Sequence, residues 1–136
     1  MSDDTIRQIL TGTKRIALVG ASAKPERASH EVMQFLLGQG YDVTPVNPGL
    51  AGQEILGRKV VATLDEAAPL DMVELFRKAA DVAAPVDDAI RLGAKTIWMQ
   101  LGIINEAVAA KARTAGLRVV MNRCPAIDIP RLGLLK

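Results

Sequence analysis

Aromatic side chains are scarce: Phe, Trp and Tyr together supply 3% of the 136 residues. That leaves no stacking platform for single-stranded nucleic acid. No Lys/Arg cluster stands out, and the net charge is only +2 at neutral pH, too weak a field to argue for a nucleic-acid partner. Cys124 is the one cysteine, so no disulfide can close within the chain, and a lone thiol fits a reducing cytoplasm. His30 is the one histidine and lies far from Cys124 in sequence, which is no basis for a metal site. The opening Met1-Ser-Asp-Asp-Thr5 is acidic and polar, unlike a secretion signal. No apolar run approaches the ~18 residues of a membrane span. The expectation is a soluble, cytoplasmic protein.

What is present is a large apolar fraction, 49%. The core it builds must come from Val, Leu, Ile, Ala and Met. The length fits one domain over residues 1–136, and no internal repeat, linker or low-complexity segment interrupts it.

The stretch Arg15–Ser29 organises the rest. Ile16, Ala17, Leu18 and Val19 form an unalternating apolar run, as in a parallel strand covered on both faces. Gly20 ends the run and a small-residue loop follows. Ser29 is then the expected N-cap of a helix carrying Val32, Met33, Phe35, Leu36 and Leu37. Strand, small-residue loop and helix open a Rossmann-type fold, and the helix start offers backbone N–H groups to a phosphate. Gly20, lacking a Cβ, leaves the backbone open to a ligand. The loop is not the dinucleotide fingerprint, because Ser22 and Pro25 stand where G-x-G-x-x-G requires glycine. A tight turn without a ligand would have the same composition.

Further elements alternate along the chain. A short helix is expected over Thr5–Leu10, and strands over Tyr41–Val46, Asp71–Phe76, Thr96–Met99 and Arg118–Met121. A loop with a small edge strand, Lys59-Val60-Val61, precedes a short helix capped by Thr63 or Asp65 and running to Ala68. Helices are expected over Ala79–Leu92 and Asn105–Ala115, the second capped by Asn105, and Cys124-Pro125 with Pro130 should keep the tail extended. The pattern predicts an α/β, Rossmann-like three-layer fold with a mainly parallel sheet of about five strands. Ligands of such sheets bind at the carboxyl ends of the strands.

Several strand ends carry informative residues. A dinucleotide site places a carboxylate after the second strand to grip the ribose diol, but this chain has Asn47 followed by Pro48. A ligand phosphorylated on that ribose would be repelled by an acid and tolerated by an amide. Asn47-Pro-Gly49 also reads as an ordinary turn. Arg77 is placed to meet a phosphate, and Phe76 to pack on an adenine or in the core. Lys24 and Arg27 flank the first loop, where they either reach a pyrophosphate or stay solvated. His30 has no acid or nucleophile readable beside it. Cys124 follows Arg123 just past a strand end; a cationic neighbour can lower a thiol pKa, while an inert buried thiol is the plainer reading. Acidic residues are scattered singly, with no pair placed for acid/base work.

Five motifs in order then resemble the stand-alone CoA-binding protein family: Val19-Gly-Ala-Ser22 with Pro25 and Ser29, Gly40–Pro48, Val73-Glu-Leu-Phe-Arg77, Trp98–Gly102, and Met121-Asn-Arg-Cys-Pro125. That family is similar to the N-terminal CoA-binding domain of the succinyl-CoA synthetase alpha subunit, and the resemblance runs from about Thr13 to Ile129. It implies that Gly20, Ala21, Ser22 and Lys24 meet the pyrophosphate of CoA. Val46, Asn47 and Pro48 would sit near the adenine and phosphorylated ribose, with Phe76 and Arg77 on the nucleotide side. Met99, Gln100, Leu101 and Gly102 would line the pantetheine path. Many relatives have aspartate where this chain has Asn122, and His30 does not occupy the position of the synthetase's phosphorylated histidine, so the ligase reaction does not transfer. The resulting expectation is non-catalytic binding of coenzyme A or an acyl-CoA, with a small nucleotide as partner and no nucleic acid or membrane. The alternatives are an NAD(P)-binding oxidoreductase or redox sensor, and a domain that serves as a subunit interface.

Overall fold

The computed structural model describes every residue, Met1–Lys136. Helix α1 (Asp3–Gly12) opens the chain, with the Ser2 side chain accepting a hydrogen bond from the Thr5 N–H. Ile6, Ile9 and Leu10 form its buried stripe, the i, i+3, i+4 spacing of a one-sided helix. Strand β1 (Arg15–Val19) leads to α2 (Ala28–Gly38) and β2 (Asp42–Val46). A 3₁₀ turn at Pro48–Leu50 is followed by an antiparallel hairpin of β3 (Glu54–Ile55) and β4 (Arg58–Lys59), then α3 (Leu64–Ala67) and β5 (Met72–Leu75). A second 3₁₀ turn (Ala79–Asp81) precedes α4 (Ala83–Arg91), β6 (Thr96–Met99), α5 (Glu106–Thr114), β7 (Arg118–Val120) and α6 (Pro125–Arg131).

The main sheet has the order β2-β1-β5-β6-β7, and every pairing in it is parallel. From β1 the chain steps outward to β2, then crosses back to lay β5 on the other side. The strand order therefore reverses at β1, and the crevice at its carboxyl end is where such sheets take ligands.

The strands are apolar without alternation because both faces are covered. Ile16, Leu18, Met72, Trp98 and Val120 face one cluster of 19 buried residues, under α1, α2 and α6. Ala17, Val19, Val73, Leu75, Ile97, Met99 and Val119 face a second cluster of 18, under α3, α4 and α5. Similar burial on both faces is what a parallel sheet in a three-layer fold requires. Trp98 is fully buried and donates its indole N–H to the Arg123 carbonyl at 2.8 Å, tying the chain beyond β7 to β6.

Some expectations need correction. Ser29 is not the N-cap: α2 starts two residues earlier than that cap implies, its N-cap is Arg27, and no side chain caps it. Ser29 is instead buried in the first turn. The tail is not extended but forms α6, with Pro125 at its first turn, where a missing N–H costs nothing. The Ala79–Leu92 helix breaks into a 3₁₀ turn and α4. Residues Lys59–Val61 divide between the β3–β4 hairpin and a single parallel bridge from Val61 to Val46. Asn105 does cap α5, its side-chain oxygen accepting from the Val108 N–H at 3.1 Å. No helix is long and apolar enough to cross a membrane.

Candidate functional site

The carboxyl ends of β1, β2 and β5 open into two clefts, one on each face of the sheet. The larger, about 500 Å³, lies on the side of α2. It is lined by the loop Gly20-Ala21-Ser22 with Lys24, by the α2 start at Arg27, Ala28 and Ser29, and by Asn47, Gly49, Leu50 and Phe76. No carboxylate lines it. Lys24 and Arg27 are exposed and neither joins any of the chain's ion pairs. The uncapped start of α2 adds helix-dipole potential of the same sign. The cleft therefore suits an anion, and the helix start and cations together suit a phosphate group.

The second cleft, about 230 Å³, lies on the other face. Val19, Val46, Pro48 and Leu64 give it apolar walls, and Thr63, Arg77, Asp81 and Asp88 its polar groups. Asp88 is held by Arg91 at 3.3 Å. The residues expected at the nucleotide thus divide: Gly20, Ala21, Ser22, Lys24, Asn47 and Phe76 line the larger cleft, whereas Val46, Pro48 and Arg77 line the smaller.

Hydrogen bonds decide which backbone groups stay free. The Gly20 and Ala21 N–H groups both point to the Val46 carbonyl, at 3.1 and 3.4 Å. They hold β1 to β2 rather than face the cleft. The Ser22 hydroxyl oxygen accepts from the Lys24 N–H at 3.1 Å, which closes a tight serine turn and leaves the hydroxyl proton to donate. Asn47 clasps the site from the second strand: its amide N–H₂ donates to the Ala21 carbonyl at 2.8 Å, and its oxygen accepts from the Gly49 N–H at 2.9 Å. It is a turn residue and a cleft wall at once.

Gly20 has a different reason for being glycine than the sequence suggests. Its φ is +86°, and a Cβ there would collide with the Phe76 carbonyl oxygen and lie 3.3 Å from Arg77 Cδ. The neighbouring strand end by itself takes up that space. Phe76 packs partly against the first core cluster and partly lines the cleft, so it is at once a core residue and a cleft wall.

The end of β6 belongs to neither cleft. Met99 is fully buried in the second cluster. Gln100 is 6% exposed and its side-chain oxygen has no partner, whereas Leu101 is 51% exposed. Gly102 donates its N–H to the Asn122 side-chain oxygen at 2.7 Å, and Asn122 adopts a left-handed φ of 58°. Asn122 thus fastens the β6 turn to the end of β7.

Sequence reasoning missed Glu74. It sits on the central strand β5, paired in register with Leu18 and Trp98, is fully buried, and neither carboxylate oxygen has a partner. Burial pushes its carboxyl well above the ordinary glutamate value, and the charge of the Cys124 thiol adds to the effect. The signal was in the sequence: a lone acid inside the apolar run Met72-Val73-Glu74-Leu75-Phe76.

Comparison with known proteins agrees with this architecture. A family model described as a CoA binding domain matches residues 14–130. The protein YneT of Bacillus subtilis (strain 168) is 36% identical over 120 residues, covering 88% of this chain and 87% of its own. A hypothetical protein from Pyrococcus horikoshii OT3, 46% identical, superposes with a TM-score of 0.91 over 97% of this chain and 92% of its own. The dinucleotide-forming acetyl-coenzyme A synthetase 1 of Ca. Korarchaeum cryptofilum, solved with phosphate and ADP, shares the fold. Its TM-score is 0.71 at 24% identity, over 82% of this chain and 26% of the synthetase.

Proposed function

The chain belongs to the CoA-binding domain family, and from that premise we propose that residues 1–136 act as one non-catalytic, cytoplasmic domain that holds coenzyme A or an acyl-CoA at the strand ends. The observation that carries the reading is the acid-free cleft where Lys24 and Arg27 stand unpaired beside the open start of α2. The pyrophosphate lies in that cleft, against Ser22, Lys24 and the α2 start, with Gly20 and Ala21 forming its floor. The adenine and phosphorylated ribose occupy the side of Val46, Asn47 and Pro48, with Phe76 and Arg77 facing the nucleotide. The pantetheine arm runs across the strand ends toward Met99, Gln100, Leu101 and Gly102. Two strand spacings separate β1 from β6, about 10 Å, which an extended arm can cross.

Ligand choice tests the reading. Asn47 puts no carboxylate beside the ribose, so calorimetry is expected to give tighter binding of CoA than of dephospho-CoA or NAD. Equal or tighter binding of NAD would overturn it. Absence of turnover is tested separately, by incubating the protein with CoA, ATP and a panel of carboxylic acids. No thioester is expected; formation at even ~1 per second, an ordinary enzyme rate, would make the protein an enzyme.

A further inference from the structure

The two clefts divide the charged groups of the strand ends between them. Lys24 and Arg27 line the larger with no carboxylate, whereas Asp81 and Asp88 both line the smaller. Phosphate groups are therefore attracted to the α2 side and repelled from the other. The boundary runs along the ends of β1 and β2, where Val19, Val46 and Pro48 face the smaller cleft and Gly20, Asn47 and Gly49 the larger. Arg77 lies at that boundary. It lines the smaller cleft, and its Cδ stands 3.3 Å from the point that a Cβ on Gly20 would occupy.

The smaller cleft, at about 230 Å³, falls short of the ~300–1,000 Å³ that hold a drug-sized ligand, so it suits one ring system of a larger molecule. Val19, Val46 and Leu64 belong to the second core cluster, which fixes these walls, and Pro48 and Pro85 add stiff sides. Two of its polar groups are already engaged. The Thr63 hydroxyl donates to Glu66 Oε1 at 3.2 Å, and Asp88 is held by Arg91. Arg77 and Asp81 are exposed, and neither joins an ion pair with the other or with any other residue. Asp81 is seated by its backbone, whose N–H donates to the Lys78 carbonyl at 2.8 Å. The free groups are thus one planar cation and one acceptor beside an apolar slot. That set fits a flat heteroaromatic ring bearing an amino group: the ring meets the walls and the guanidinium plane, and the amino group donates to the carboxylate.

We propose that the smaller cleft is the base pocket of the nucleotide, and that Asp81 determines its specificity by accepting a hydrogen bond from the adenine amino group. The proposal takes its ligand from the CoA-binding reading and goes beyond it by putting the base and the phosphates on opposite faces of the sheet. The ribose crosses the boundary beside Asn47, on the side away from Asp81 and Asp88, so its phosphate meets an amide rather than an acid. Asp81 makes the choice of base because its carboxylate gives up water to the incoming ring. An amino group repays that loss with a charge-assisted hydrogen bond, whereas a ring carrying only hydrogen at that position does not.

The test titrates the full chain with CoA and with its purine analogue, in which hydrogen replaces the adenine amino group. The parent is expected to bind CoA roughly 10-fold more tightly than the analogue. Asp81→Ala should weaken CoA by the same factor and leave the analogue unchanged, so that the preference disappears. Asp81→Asn retains an acceptor oxygen and should restore part of it. Lys24→Ala should weaken both ligands alike, because it acts on the phosphates. Two fragments locate the subsites by amide chemical shifts. Adenosine should move Thr63, Leu64 and Asp81, and inorganic pyrophosphate should move Lys24, Arg27 and Ala28. CoA binding with a preference that survives Asp81→Ala overturns the proposal and leaves the CoA reading standing, as does adenosine that moves only the α2 side. Absence of CoA binding, with adenosine still moving the smaller cleft in the parent and not in Asp81→Ala, overturns the CoA reading and supports the base pocket.

Discussion

Gly20→Val is expected to cost the fold itself, by about 3 kcal/mol or more. Two effects add. The residue holds a φ of +86°, a conformation that a β-branched side chain adopts only with strain. The new Cβ would also overlap the Phe76 carbonyl oxygen, a backbone atom fixed by β5, so neither partner can swing aside. The Phe76 N–H is itself bonded to the Val19 carbonyl at 2.9 Å, so pushing Phe76 away opens the pairing of β1 with β5. Gly40→Ala separates the two effects: Gly40 has a φ of +90°, and a Cβ added to it would meet nothing within 4 Å. It should lose only the conformational part, about 1 kcal/mol. Urea unfolding of the parent and both variants measures this, and a Gly20→Val protein as stable as the parent would mean that the β1–β5 strand ends are not packed as described. Because this variant damages the scaffold, the phosphate contacts are better probed at Lys24 and Arg27, which are exposed.

Glu74→Gln is expected to stabilise the protein at neutral pH and to flatten its pH dependence. The folded-state pKa of Glu74 is raised well above 4.5, first by burial and then by the charge of Cys124. The folded state therefore holds the proton more tightly than the unfolded chain. The stability linked to that proton is fully present below the unfolded value and is lost as pH rises toward the folded one. Each pH unit in that window is worth about 1.4 kcal/mol. The Gln side chain never ionises, so its protein should match the parent near pH 4 and pull ahead as pH rises. Thermal melts of both proteins between pH 4 and pH 8 test this. Parallel curves would mean that the Glu74 carboxyl ionises on folding without penalty.

The sequence by itself determined the layer architecture. Apolar runs such as Ile16–Val19 and Thr96–Met99, separated by helical stretches and stop glycines, admit little besides parallel strands with crossover helices, because each run must be covered on both faces. It also placed the strand ends, the Asn47 turn and the Asn105 cap, each of which depends on residues within four positions. The tertiary structure alone decided what depends on distant partners. Gly20 is required by Phe76, just past a strand far along the chain, as well as by the φ of its own turn. The α2 start fell to Arg27 because Ser29 is drawn into the buried first turn. Pro125, which reads locally as a break, begins a helix that docks on α2. The expected nucleotide residues separated into two clefts because alternate residues at one strand end face opposite sides of the sheet. Glu74 could be seen as an acid in an apolar strand, but its protonation depends on Leu18, Trp98 and Cys124, brought around it from three other parts of the chain. Local sequence fixes conformation within a few residues, whereas the solvation of a charge is set by whatever the fold packs against it.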